Sequence, residues 1–428
     1  MDLPESRARA LDAEDVEHSR RGDFLIPPAE GGPYPESAYL AGNSLGLQAR
    51  KIRERLDEVL REWHSWAVEG HTEAQRPWVS YHALLREPAA TLVGALPNEV
   101  VSMNSLTVNL HLMMISFYRP TPERHAIVVE DTTFPSDSYA VRSQAAFHGF
   151  DPDTAVVRLE PRTGENGLRS EDVVAFLERE GHRVALVLLG AVNYYSGEHL
   201  DMASITKAGR AAGAVVGWDL AHAAGNVPLR LHDWGVDWAA WCTYKYLNSG
   251  PGSIAGAFVH ERHLADRSLP KLAGWWSTDP ETRFLMRPTV DPVDTADSWQ
   301  LSNPPIFAMA PVLASLEMFA EVGMDNLRER SLRLTGYLES VLGELIGDRP
   351  IRIITPRDPG RRGTQLSVRL QEASVREVCT RMRLEHGVVA DARDPDVIRL
   401  APAPLYVSYH DCWRAAHALV EVVDNSGR

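Results

Sequence analysis

"VALVLLGAVNYYSGEHLDMASITKAGRAAGAVVGWD", residues 184–219, decides the fold. Two apolar runs, 184–190 and 214–219, enclose a segment, 202–213, whose apolar positions recur at helical spacing. Continuous apolar runs of that length read as strands buried on both faces. A helix between two of them is the parallel strand–helix–strand unit. Outward from this stretch, "AIVVE" (126–130) and "WAAWCT" (238–243) repeat the strand pattern. The chain is therefore expected to be an α/β protein with a mainly parallel central sheet. Upstream, Ile52, Leu56, Val59, Leu60 and Trp63 follow helical spacing with charge between them. Past residue 307 the texture changes. Two long amphipathic helices (307–323 and 324–347) precede short strands in "IRIIT", "QLSVRL" and "VIRLAP", with helical stretches near 374–386 and 408–424. The expected organisation is an irregular lead-in, 1–46, packing with the small domain; a large α/β domain, 47–306; and a smaller α+β C-terminal domain, 307–428.

The chain has 428 residues, 44% of them hydrophobic, enough for a sizeable core and more than one domain. Its formal charge of −14, from 44 basic against 58 acidic residues with no basic stripe, argues against nucleic acid as a partner. The clean apolar run 184–192 is too short to cross a bilayer, so no membrane partner is expected. The opening "MDLPESRARALDAEDVEHSR" has no apolar signal segment, and the cysteines Cys242, Cys379 and Cys412 form no C-x-x-C pair. A cytoplasmic protein is the expectation. "HERH" (260–263) offers two histidines without a third ligand in view, so no metal is expected.

Chemistry concentrates in two segments. In "VVGWDLAHAAGN" (215–226), Asp219 ends a predicted parallel strand, and His222 follows. In "WCTYKYLNSGPGS" (241–253), Lys245 lies just past the next predicted strand. Ligands bind at the carboxyl ends of strands in open α/β sheets. Taken singly, Asp219 also reads as a helix N-cap and Lys245 as a strand-end lysine whose amine reaches water. Together they place an acid and an amine at one sheet edge. That pair suits pyridoxal phosphate: the amine condenses with the aldehyde as a Schiff base, and the acid keeps the pyridine nitrogen protonated. Asn104, Ser105 and Thr107, at the head of the apolar run 103–117, read either as an ordinary cap or as a phosphate-binding helix start. In "DTTFPSDSYA" (131–140), Phe134 reads as a ring stacked on a flat heteroaromatic or as a loop aromatic over the core. Asp137 reads as a cofactor or substrate contact or as a turn acid. "GPGSIAGA" (250–257) misses the dinucleotide spacing and reads as tight backbone packing.

These residues carry a resemblance. "YLAGNSLGLQ" (39–48), "RPW" (76–78), "SLTVNLHLMMISFY" (105–118), "FPSD" (134–137), "GWDLAHAAGN" (217–226), "LHDWGVDWAAWCTYKYLNSGPG" (231–252), "LSNPPI" (301–306) and "IRLAPAPLYVSYHD" (398–411) resemble the kynureninase family. That family is a branch of the aspartate-aminotransferase-like, fold type I pyridoxal-phosphate enzymes. The resemblance implies that Lys245 carries the cofactor as a Schiff base and Asp219 pairs with its ring nitrogen. It implies His222 beside the phenolic oxygen and Phe134 stacked on the ring. Leu106 and Thr107 would hold the phosphate, helped by Tyr244, with Ser136 and Asp137 as further cofactor contacts. Trp275 and Asn303 would complete the phosphate and substrate site from the neighbouring subunit of a homodimer. Arg399 would clamp the α-carboxylate of an amino-acid substrate, with His71 and Ser44 near its aryl end. Tyr244 is the expected general acid, its pKa tuned by neighbours. Gly190 stands where some relatives would carry a small hydroxyl residue. The implied reaction is hydrolysis of L-kynurenine, or its 3-hydroxy derivative, to anthranilate or 3-hydroxyanthranilate and L-alanine. The alternative is a cysteine desulfurase or aminotransferase of the same branch. A desulfurase needs a mobile thiol, which none of the three cysteines supplies by position.

Overall fold

The structure, a computed structural model, describes residues 3–426. The first two residues of the expected lead-in and the last two of the small domain lie outside that range.

A seven-stranded sheet forms the centre. Its strands are β2 (Val100–Ser102), β3 (Ala126–Glu130), β4 (Val156–Leu159), β5 (Val184–Gly190), β6 (Val215–Asp219), β7 (Trp238–Trp241) and β8 (Gly256–Val259), in the order β2-β8-β7-β6-β5-β3-β4. All neighbours are parallel except β8, which runs antiparallel to β2 and β7. β3, β7 and β8 are buried along their whole length, as continuous apolar runs require. Small residues make room for large ones across the ladder. A side chain at Gly217 would strike the Trp238 ring, and one at Gly256 the Trp241 ring. Each such buried aromatic contributes roughly 1.5–3 kcal/mol or more by removal from water.

β1 (Ala38–Tyr39) pairs in parallel with β11 (Val388–Val389). A second, antiparallel sheet of order β12-β13-β10-β9 is built from β9 (Ile351–Ile353), β10 (Leu366–Leu370), β12 (Asp391–Arg393) and β13 (Val397–Leu400). The predicted strands and long helices are present with bounds shifted by a residue or two.

One expectation is corrected. The lead-in is not wholly irregular, because Glu5–Glu14 is a helix. The helix Arg50–Trp66 buries Ile52 and Val59, but Leu60 and Trp63 are 48% and 57% exposed. Trp63 meets Phe307 edge-on, with 6.1 Å between ring centroids. The helix Ile306–Val322 packs on Arg50–Trp66 and Arg86–Val93, whereas Met324–Ile346 packs on the helix Tyr409–Asp424. The two helices meet at 81° about Gly323, whose φ is +80°.

Candidate active site

β3, β5 and β6 end at Glu130, Gly190 and Asp219, and the loop after β7 carries Tyr244 and Lys245. Parallel strands put all these ends on one edge of the sheet. A cavity of about 380 Å³ opens there. Ser44, Leu106, Thr107, Phe134, Ser136, Asp137, Asp219, His222, Tyr244, Lys245 and Arg399 all line it.

The amine end is tightly arranged. Lys245 Nζ lies 3.0 Å from His222 Nε2. Burial, reinforced by the Lys245 charge, holds the His222 imidazole well below its ordinary pKa, so the ring is neutral and accepts from the amine. Among the described residues its Nδ1 is buried without a partner. The backbone of "GNSLGLQ" closes over the same loop. Gly46 N–H donates to the Tyr244 carbonyl at 2.8 Å, and a side chain at Gly46 would strike the Lys245 carbonyl. The glycine there permits close approach.

Three carboxyls form the floor. Asp219 Oδ1 accepts from the Ala221 N–H at 2.7 Å. Asp137, hydrogen-bonded to Asp219, is pushed well above the usual carboxylate range by burial and then by the Asp219 charge. Burial pushes Glu130 up to about 7, against one Asn193 Nδ2 donor at 2.9 Å. A side chain at Gly190 would come within 3.1 Å of Glu130 Oε1.

Two helices, Leu106–Phe117 and Pro135–Phe147, begin at the cavity wall. Thr107 Oγ1 and Ser136 Oγ are 2.8 Å apart, and the Ser105 side chain does not cap its own helix. Free N–H groups and two hydroxyls make an anion cradle. Phe134 stands 46% exposed, edge-on to Tyr194 at 5.2 Å between centroids.

Arg399 arrives from β13. It is buried, donates through Nη1 to the Tyr194 carbonyl at 2.8 Å and through Nη2 to Asp391, and leaves Nε without a partner among the described residues. Arg393, also on the cavity wall, shares Asp391 at 3.1 Å. An anion cradle, an aromatic face, an acid floor and a lysine held by a neutral imidazole together fit pyridoxal phosphate.

His71, Trp275 and Asn303 lie elsewhere. They line a second, aromatic cavity of about 510 Å³ with Trp78, Trp276 and Phe284. Within one chain they do not join Lys245.

Compared with known proteins, the chain is 63% identical to the kynureninase of Salinispora tropica over 420 residues, covering 98% of this chain and 97% of that one. The chain belongs to the kynureninase family. The kynureninase of Koribacter versatilis is 55% identical, covering 98% of both chains. Residues 327–419 match the family description "Kynureninase C-terminal domain". Among solved structures, the cysteine desulfurase CsdA of Escherichia coli superposes with a TM-score of 0.74 at 19% identity, covering 95% of this chain and 97% of that one. C-DES with glycine covalently linked to its PLP cofactor gives 0.74 at 17%, covering 91% and 96%. At such identities these two show the fold alone, which is that of fold type I pyridoxal-phosphate enzymes.

Against the kynureninase family's expected residues, Tyr244 behaves differently from the expectation. Burial raises its phenol pKa further, and the nearby Cys242 adds to the rise. Glu130, Tyr194 and Arg393 line the cavity without having been anticipated. Glu130 had a signal, since it ends a strand at the ligand-binding edge. Arg393 had none, since its place depends on β12 pairing with β13.

Proposed function

We propose that the protein hydrolyses L-kynurenine, or 3-hydroxy-L-kynurenine, to L-alanine and anthranilate, or 3-hydroxyanthranilate, with pyridoxal phosphate as cofactor. This is a step of tryptophan catabolism that leads toward NAD precursors. The observation that carries the reading is one cavity uniting Lys245, Asp219 and Arg399 in a chain 63% identical to a kynureninase.

Bound there, pyridoxal phosphate supplies an aldehyde for the amine and a ring that accepts electron pairs from the substrate's bonds. Thr107, Ser136 and the first-turn N–H groups after Ser105 would hold its phosphate, Asp219 its ring nitrogen, and Phe134 its face. Arg399 binds the substrate α-carboxylate through a planar fork. That contact fixes which substituent of the α-carbon faces Lys245. Lys245 Nζ takes the α-proton, and the neutral His222 Nε2, 3.0 Å away, keeps the amine aimed into the cavity. Water adds to the γ-carbonyl, the Cβ–Cγ bond breaks, and the water oxygen leaves in the carboxyl group of anthranilate. Tyr244 keeps its phenolic proton at neutral pH, delivers it to Cβ, and recovers one from the proton that the hydrated carbonyl gives up as the carboxyl group forms. Lys245 returns a proton to the α-carbon before alanine departs.

The test is anthranilate fluorescence after addition of L-kynurenine. Lys245→Ala should abolish both the fluorescence and the visible absorbance of bound cofactor. Sulfide from cysteine without anthranilate from kynurenine would instead favour the desulfurase. Its required thiol has little support here: Cys242 and Cys412 are buried, and burial pushes Cys379 up to about 12.

The working unit in this reading is a homodimer with shared sites. Trp66, Val68, Trp275, Phe284 and Phe307 are exposed on or beside the second cavity. A second copy covering that face would bring His71, Trp275 and Asn303 to the partner's Lys245. The reading places the enzyme in the cytoplasm, in accord with its three free thiols.

A further inference from the structure

The two histidines of "HERH" part company in the structure. His263 Nε2 meets Asp237 Oδ1 at 2.8 Å. His260 turns the other way, toward Glu99 and His232. β8 runs antiparallel, and Val259 pairs with Trp238, the first residue of β7. His260 therefore lies at the sheet edge opposite the catalytic cavity.

Three donor atoms converge there. Glu99 Oε1 is 3.0 Å from His232 Nδ1 and 3.6 Å from His260 Nδ1. The donor atoms of all three residues lie within 4.8 Å of one another. The two imidazoles stack at 5.0 Å between centroids and 23° between planes. A four-coordinate ion with bonds of about 2.0–2.2 Å holds neighbouring donors about 3.3 Å apart. The two measured gaps fall on either side of that spacing.

The surroundings orient the donors without neutralising them. Glu99 is fully buried, and its oxygens accept from the Leu96 N–H at 2.8 Å and the Glu261 N–H at 2.7 Å. These bonds steer the carboxylate as outer partners of metal ligands do. Among the described residues, the basic side chains within 4.0 Å of its oxygens are the two imidazoles alone. The Arg262 guanidinium is drawn off to Asp237 at 2.6 Å. His260 Nδ1 accepts a long bond from the Arg262 N–H, 3.3 Å, which ligation would replace. His232 is partly exposed, so the site is reachable from solvent.

We propose that Glu99, His232 and His260 form a structural site for one divalent ion of the zinc class. Two imidazoles and one carboxylate suit zinc, cobalt or nickel better than magnesium or calcium. The ion would tie the start of β2, the turn after Leu231 and the end of β8 together. It would take no part in the reaction at the opposite edge.

Zinc titrated into the metal-stripped holoenzyme, followed by calorimetry and by the thermal midpoint, tests this. One saturable equivalent per chain, a raised midpoint and unchanged turnover are expected. Magnesium should not compete. His232→Ala and His260→Ala should each weaken binding by at least about tenfold and abolish the midpoint rise. Both substitutions leave the buried Glu99 in place, so folding can be confirmed by retained turnover. No saturable zinc uptake, or uptake that survives either substitution, would overturn the proposal.

Discussion

Glu130 places a carboxyl in a wall where burial favours its neutral form. An acid whose pKa rises from its ordinary 4.5 to about 7 on folding binds more protons folded than unfolded between those values. Its effect on stability is therefore harmless below pH 4.5 and unfavourable as pH rises to about 7, with no further change above. The accumulated penalty is about 3 kcal/mol. In the Glu130→Gln protein, the amide oxygen can still accept from Asn193. The variant should unfold at a higher temperature than the parent at pH 8, with the difference shrinking steadily toward pH 5. Thermal scans across that range check the sign. Arg399 makes a second residue-scale prediction. Lysine can keep the charge but not the fork that holds Tyr194 and Asp391 and, under the proposed function, would also hold the substrate carboxylate. Arg399→Lys should raise KM roughly ten- to a hundredfold, with a smaller change in kcat. Steady-state kinetics would show a loss confined to kcat if the residue does not bind the carboxylate.

Among the elements, the helix Glu5–Glu14 has a task its composition conceals. Just past the buried Ala8, Asp12 reaches across to the start of the helix Tyr409–Asp424. Its two oxygens accept from the Tyr409 N–H at 2.7 Å and the His410 N–H at 3.1 Å. Those donors are among the four that a helix start leaves unpaired. Asp12→Ala should lower stability by about 1 kcal/mol, and Asp12→Ser by less, as denaturant midpoints would show. Sequence patterning could not reveal this helix, because "ESRARALDAE" has charge on every side and takes its stability from a distant partner. Four strands of the central sheet, β3, β5, β6 and β7, were legible for the opposite reason, since strands covered on both faces must be apolar throughout; β2, β4 and β8 were not. Helical spacing at Leu60 and Trp63 announced a helix but not which side would find a neighbour. Most of the cavity was legible because strand ends and helix starts mark it locally. Asp391 and Arg393 were not, since they reach Arg399 only through pairing across a hairpin.

At the scale of the whole molecule, the two cavities of one chain divide the expected residues between them. If sites are shared, a Lys245→Ala chain still contributes Asn303, and an Asn303→Ala chain still contributes Lys245. Each variant alone should be inactive or strongly impaired, and mixing them under exchanging conditions should restore anthranilate release. Failure of the mixed dimers to recover would mean each chain works alone. The pairing of β1 with β11 has its own result during synthesis. Residues 38–39 leave the ribosome early, while 388–389 follow after most of the chain. The front segment must wait, unpaired, until translation is almost finished. A nascent chain halted before residue 388 would therefore hold its large sheet complete and its first strand still searching.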